Sequence, residues 1–429
     1  MSLRAAGPTP ALVLLLAAST AAAQEALPLP APAPLLPPGL DASARLWVAP
    51  EAAWFRDDSP YAPAASRAGI GQGWGRTEVV LRARREGTVG ELSLRLEDRG
   101  ELGTVSAAVV TELYQELYLG AAGHLTVGKK VTPWDVSFGY RPLDVVQQER
   151  RLAFVPYALE GIPQLTWELF GEAWAVSILW TNPLSGRQAV PVHDEAGALH
   201  LFARAGDADV HGVSRWSERT GLQAGAGVAL VAGETLELHG SARWQARGEH
   251  LAPPARGPGG GPITTTPPGQ VPTQHELSAV AGLTLTPGAG LSFIAEGWLE
   301  SRRGLRGHLA PARRARGGAA LAPGRRRGRV PPAAVIGNLA WGLGAFDRPS
   351  LLRQNLFLHA SRPTGRLEPA VDLLFTPEDR GWAVTGTAAW QGERLRAEGG
   401  VRLTGGPPGA AHRLFPAWAM VYVAAQLSL

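Results

Sequence analysis

The 429-residue chain has no cysteine, two methionines and two lysines. Without cysteine there is no disulfide, no thiolate nucleophile and no cysteine metal site. Lys129 and Lys130 are the only lysines, so no P-loop lysine follows a glycine-rich loop. The chain also lacks a G-x-S-x-G elbow and an H-E-x-x-H pair, and its ten histidines are scattered. The glycine-rich stretch 69–75 (GIGQGWG) has no helical pattern after it that could cradle a phosphate. No apolar run reaches the ~18 residues of a membrane-spanning helix. That last absence does not bear on membrane strands, whose alternating faces average out in any hydropathy window.

At the N-terminus, Arg4, the apolar run 11–18 (ALVLLLAA) and Ala21-Ala22-Ala23 read as a secretory signal over residues 1–23. Residues 24–43 read as a proline-rich leader. The net charge of +4 is misleading, because residues 301–330 hold ten arginines and no acid. Removing those ten from the 41 cations leaves 31 against 37 acids, so the remainder is mildly acidic. The segment reads as low-complexity sequence, as a loop contacting lipopolysaccharide phosphates, or as out-of-frame coding of a GC-rich gene. In an exported chain the arginines do not argue for nucleic acid.

From residue 44 onward the dominant signal is period-two alternation. Leu236, Leu238, Gly240, Ala242 and Trp244 interleave with Glu237, His239, Ser241, Arg243 and Gln245. Leu395, Ala397, Gly399, Val401 and Leu403 interleave with Arg394, Arg396, Glu398, Gly400 and Arg402. Such runs are longer than the ~5–6 residues usual for soluble strands and match the ~9–11 needed to cross a bilayer at a tilt.

The pattern predicts eighteen strands between 44–56 and 413–428, or sixteen if the count shifts at 151–159 or 334–346. Turns of two or three residues fall after even-numbered strands, at Glu86-Gly87, Gly120-Ala121, Gly206-Asp207 and Gly392, for example. The long connections 57–75, 131–161, 182–197, 249–273 and 301–349 fall after odd-numbered strands. The expected fold is therefore all-β: a transmembrane antiparallel barrel of 16–18 strands over 44–429, with short periplasmic turns and long extracellular loops. Trp54, Phe55, Trp74, Trp167, Trp180, Trp216, Trp298, Trp382, Trp390 and Trp418 are expected mostly in interfacial girdles.

The stretch 123–151 (GHLTVGKKVTPWDVSFGYRPLDVVQQERR) closes the fifth strand and opens the third long-rim loop. Placed there, it resembles the third loop of general porins, which folds into the barrel and narrows the pore. Gly128, Lys129, Trp134, Asp135, Pro142, Leu143 and Asp144 also resemble a local pattern of alginate-export-type outer-membrane proteins. The resemblance implies an outer-membrane channel that passes small hydrophilic or anionic solutes by diffusion, without a cofactor and without catalysis. It also implies contact with outer-membrane lipid and lipopolysaccharide, and a homotrimer as in general porins.

Constriction charges are expected from Lys129, Lys130, Asp135, Arg141, Asp144, Glu149, Arg150 and Arg151. Lumen-wall charges are expected from Arg82, Arg84, Arg95, Arg243, Arg247, Arg394, Arg396 and Arg402, balanced largely by cross-strand carboxylates. His239 and His359 are expected as solvated lumen residues. Two alternatives stay open: a soluble exported β-rich binding protein, and a barrel enzyme with its site on the long-loop rim.

Overall fold

The computed structural model describes residues 39–59, 73–100, 103–147, 154, 159–188, 191–251, 270–288, 290–301, 346 and 350–428. They form eighteen strands: β1 Asp41–Phe55, β2 Gly73–Arg85, β3 Thr88–Asp98, β4 Thr104–Leu119, β5 Gly123–Lys130, β6 Ile162–Phe170, β7 Trp174–Thr181, β8 Ala196–Ala205 and β9 Ala208–Ser217. β10 is Gly221–Ala232, β11 Leu236–Leu251, β12 Gln270–Gly288, β13 Leu291–Glu300, β14 Gln354–Ser361, β15 Leu367–Thr376, β16 Gly381–Gln391, β17 Leu395–Gly405 and β18 Ala417–Ser428.

Each strand pairs antiparallel with its neighbours in sequence, and β1 pairs with β18, with Arg45 opposite Ser428 and Glu51 opposite Tyr422. The sheet is thus closed and has no edge strand among the described residues. The eighteen-strand alternative is the one observed. Parts of 151–159 and 334–346 lie outside the described residues.

The polarity of the two faces is inverted relative to a soluble sandwich. Leu46, Val48, Leu94, Ile178, Val210, Leu356, Leu358, Val371 and Val423 are all more than a third exposed. Glu78, Ser93, Thr126, Thr166, Arg215, Ser241, Glu276, Glu296 and Thr385, on the opposite faces of their strands, are buried. An apolar exterior around a polar interior is what lipid outside and water inside demand. Trp54, Trp167, Trp174, Trp180, Trp216, Trp390 and Trp418 are exposed on the outer side as a girdle requires. Trp298 departs from that expectation. It is 4% exposed and points inward, because it packs against the loop described below.

Turns sort by rim. β2–β3 are joined by Glu86 and Gly87, both at positive φ (47° and 82°), the pair that a two-residue hairpin needs to match strand twist. A Cβ at Gly87 would also meet the Glu116 carbonyl at 2.7 Å. The start of β1 at Asp41 and the end of β18 at Ser428 lie on this same short-turn rim, since Asp41 pairs with Arg84 and Ser428 with Arg45.

Two local departures from regularity place the third long loop. β4 bulges at Thr111 where its register against β3 shifts between Glu91 and Leu92. β5 stops early: Lys129 pairs with Leu113, which is 113 − 104 = 9 residues from the long-rim start of β4 at Thr104. The chain therefore leaves the wall inside the barrel rather than at its rim.

Candidate functional site: the lumen loop and its walls

The loop starts from a fixed base. Gly128 has φ 133°, and a Cβ there would meet the Leu113 carbonyl at 2.2 Å, so the close approach of β4 to the end of β5 requires glycine. Lys130 pairs with Glu116 at 3.0 Å and lies over the Tyr114 ring at 5.0 Å. Lys129 pairs with Glu160 at 2.6 Å, which ties the outgoing strand to the returning chain. Val131 N–H donates to Glu112 (3.1 Å), and Gly161 N–H donates to the carbonyl of the bulged Thr111 (2.8 Å). Gln147 accepts from Thr132 N–H at 3.1 Å and donates to the Glu160 carbonyl at 2.6 Å.

Residues 134–147 then run along the inner wall. Trp134 stacks on His200 of β8 at 5.0 Å, and His200 stacks in turn on His211 of β9. Leu143, fully buried, presses into β10, where a Cβ at Gly225 or Gly227 would meet its methyls at 2.7 and 2.8 Å. Asp135 accepts from Ser241 of β11 at 3.1 Å. Phe138 stacks on Phe357 of β14, and Tyr140 on Trp298 of β13 at 5.4 Å.

The tightest attachment is Glu296 of β13. Its carboxylate accepts the backbone N–H of Phe138 at 2.6 Å and of Gly139 at 2.8 Å, and His239 Nε2 lies 3.0 Å away. The Glu296 and His239 side chains are 0% and 2% exposed. His239 is thus a buried partner of the loop anchor, not the solvated lumen residue expected.

Three expected constriction charges take a different part. Asp144 accepts from Trp134 N–H (2.8 Å) and Asp135 N–H (2.9 Å) and pairs with Arg141 at 2.7 Å. Asp135 accepts from Ser137 N–H at 2.9 Å and also from Leu143 N–H. Arg141 donates to the Ser137 carbonyl at 3.1 Å. All three are more than nine-tenths buried. Their charges fold the loop on itself, because unpaired backbone N–H groups in a packed loop need acceptors. Glu149, Arg150 and Arg151 lie outside the described residues.

The loop also reaches β17, β18 and β1. Phe154 meets Tyr422 of β18 edge-on at 5.0 Å, and the Arg402 guanidinium of β17 lies 5.2 Å from its ring centre. Trp47 and Ala49 of β1 complete that contact.

Among the expected wall charges, Arg95 pairs with Glu78 at 2.9 Å, Arg82 with Glu91 at 3.9 Å, and Arg396 with both Glu368 and Glu398 at 3.2 Å. Arg402 donates to Thr385 at 2.8 Å. Arg84 and Arg394 are exposed near the short turns, while Arg243 and Arg247 lie on β11 beside the loop-covered wall. His359 pairs with Asp372 at 2.6 Å. Sequence reasoning missed Glu296 as an anchor, although its inward register on an alternating strand was readable.

A second short loop, 406–416, packs at the long-rim end of β16–β18. Asp379 accepts from Ala411 N–H at 2.7 Å and Gly381 N–H at 3.0 Å. His412, in the helical turn Ala411–Leu414, is buried, and that burial holds its imidazole down to about 4.

No protein-family model and no curated protein matches the sequence. Among solved structures, the chain is similar to Pseudomonas aeruginosa OccK8 (OprE), at 9% identity and a TM-score of 0.51, over 91% of this chain and 98% of that one. It is similar to Pseudomonas aeruginosa OccK11 (OpdR) at 12% identity and a TM-score of 0.50, over 91% and 96%. The fold is a closed antiparallel barrel of the porin type. At this identity the likeness concerns the fold alone. The local resemblance of 128–144 to alginate-export-type proteins gains no support from these matches.

Proposed function

We propose that the protein is an outer-membrane channel through which small hydrophilic solutes diffuse passively, with loop 131–161 setting the narrowest section. The observation that carries this reading is the inverted barrel with a loop folded inside it. An eighteen-strand barrel has an interior wider than side chains alone fill, so it holds water unless something occupies it. Here a loop occupies part of the lumen against β6–β14, and Phe154 packs on Tyr422 of β18 and Ala49 of β1. Paired charges of both signs line the remainder, which suits water-soluble solutes and a modest ion preference.

The same reading assigns the exterior to outer-membrane lipid, takes residues 1–23 as the export signal, and leaves contact with lipopolysaccharide to the long loops. A homotrimer, as in general porins, is part of the proposal and is testable by crosslinking in detergent. No catalytic step is invoked. Planar-bilayer recording from the detergent-purified mature protein tests the channel. Stepwise, long-lived conductance is expected. Persistent silence from correctly inserted, heat-modifiable barrels would refute it.

A further inference from the structure

The described histidines that face the lumen fall into two kinds. His124, His239 and His359 each lie against a carboxylate, that of Glu168, Glu296 and Asp372 respectively. His200 of β8 and His211 of β9 lie against each other, with His200 Nε2 at 3.1 Å from His211 Nδ1. They are diagonal neighbours on the wall, since His200 stands opposite Val213 and His211 opposite Phe202. Both rings are partly exposed.

The pair is held from both sides. Trp134 of the loop stacks on His200 with ring centres 5.0 Å apart, and Phe202 lies against His211 at 5.2 Å. Carboxylates stand nearby. Asp209 precedes His211 by two residues on the same face of β9, and its side chain is 35% exposed although Arg204 pairs with it at 2.9 Å. Glu168 of β6 pairs in register with Ser177 of β7, and Ser177 with His200. Acids on this wall raise the local concentration of cations.

Two metal–nitrogen bonds of ~2.0–2.1 Å meeting at about 90–110° hold their nitrogens about 2.9–3.4 Å apart. The 3.1 Å separation of the two imidazoles falls within that range. We infer that His200 and His211 form a binding site for a transition-metal dication, Cu²⁺ ahead of Ni²⁺ and Zn²⁺, on the lumen wall at the foot of the loop. Imidazole suits these ions, whereas Mg²⁺ and Ca²⁺ prefer oxygen. No cluster of three or more His, Cys, Asp or Glu among the described residues could hold a metal, so this site supplies two ligands and leaves the other positions to water. Binding takes both rings neutral, each with its outer nitrogen protonated. The ring that donates the N–H···N bond moves that proton to its own outer nitrogen, and no proton is lost overall. Trp134 and Phe202 keep the two rings oriented, as groups behind a metal ligand do.

Titration of the untagged, detergent-purified barrel with CuCl₂ tests the site without any need for conductance. A saturable site of about one Cu²⁺ per chain is expected, with coupling to two imidazole nitrogens in its electron paramagnetic resonance spectrum. His200→Gln and His211→Gln should each weaken binding at least about tenfold, since losing a group that only orients a ligand already costs roughly 10–100-fold. His124→Gln should bind as the wild type does. Heat-modifiable mobility shows which variants are folded, and if neither His200 nor His211 variant folds, the nitrogen coupling of the wild type decides alone. Absence of that coupling, unchanged affinity in a folded His200 or His211 variant, an equal loss in His124→Gln, or equal affinity for Mg²⁺ would overturn the site. Each of those results leaves the channel reading standing, and a barrel that binds Cu²⁺ but never conducts would overturn the channel and keep the site.

Discussion

Two halves of one barrel share an alternating sequence and use it differently. On β6–β14 the positions that meet the loop are small or neutral, or carry an acid that accepts from loop backbone, as at Gly225, Gly227, Ser241 and Glu296, while Arg215 of β9 is buried against Ser217 and Thr220. On β15–β18 and β1–β4 the inward positions carry Arg95 with Glu78, Arg396 with Glu398, and Arg76 near Glu51 and Glu97. The first half receives a loop, so its polar groups must be satisfied by protein. The second holds its acids and bases in pairs, buried at Arg76 and Glu51 and partly exposed at Arg396 and Glu398, where a pair stands at little net gain or cost. A carboxylate is therefore an anchor on one wall and a field-setting group on the other. The difference lies in what stands in front of it.

The contrast breaks most severely if the loop is removed. Deleting residues 134–150 should raise single-channel conductance severalfold, because the β6–β14 wall would then line open water. Unchanged conductance would show that the loop does not set the narrowest section.

A narrower cut removes only the anchor. Glu296→Ala takes away the acceptor for two backbone N–H groups and the partner of His239, a loss of about 2–3 kcal/mol for buried, charge-assisted bonds. The barrel should still fold, while amide exchange over 134–144 accelerates and current noise rises. Exchange at the wild-type rate would mean that packing alone holds the loop.

Packing can be tested separately. Leu143→Ala empties the notch over Gly225 and Gly227 and should cost about 2–4 kcal/mol of local stability. Faster protease cleavage of the loop in native barrels would report it.

A pH effect is expected on the open half, in the loop 406–416. His412 is held neutral by burial, with nearby Arg402 lowering its pKa further and Asp379 opposing this. Its folded value of about 4 lies below the ordinary 6.5. The contribution is complete above pH 6.5 and is lost as pH falls from 6.5 toward 4. Exchange protection of 410–414 should decline across that window, and His412→Asn should abolish the decline.

The smallest effect belongs to the open wall. Arg396→Gln removes the cation of a partly exposed cluster with Glu368 and Glu398, so stability should change by under ~1 kcal/mol. The reversal potential in a salt gradient should shift toward cation preference.

Alternation and loop parity were legible in the sequence because membrane strands obey strict local rules. Side chains alternate at period two, a two-residue turn needs residues that tolerate positive φ, as at Glu86-Gly87, and lipid allows no open edge. Those rules bounded the count at sixteen to eighteen strands and gave their antiparallel order, the rim of the long loops and the alternation of the two faces. They also marked 131–161 as the loop after a short fifth strand.

Only the tertiary structure decided which inward charges meet water. Asp135, Arg141 and Asp144 read as pore charges but became internal partners, and Trp298 read as girdle but became the seat of Tyr140. The stack of Trp134 on His200 brings together residues 66 positions apart in the chain, counting 200 − 134. A local pattern fixes which face a side chain takes. Whether that side chain meets water depends on the path of a loop that leaves β5 and packs against strands far away in sequence, and no local rule encodes that path.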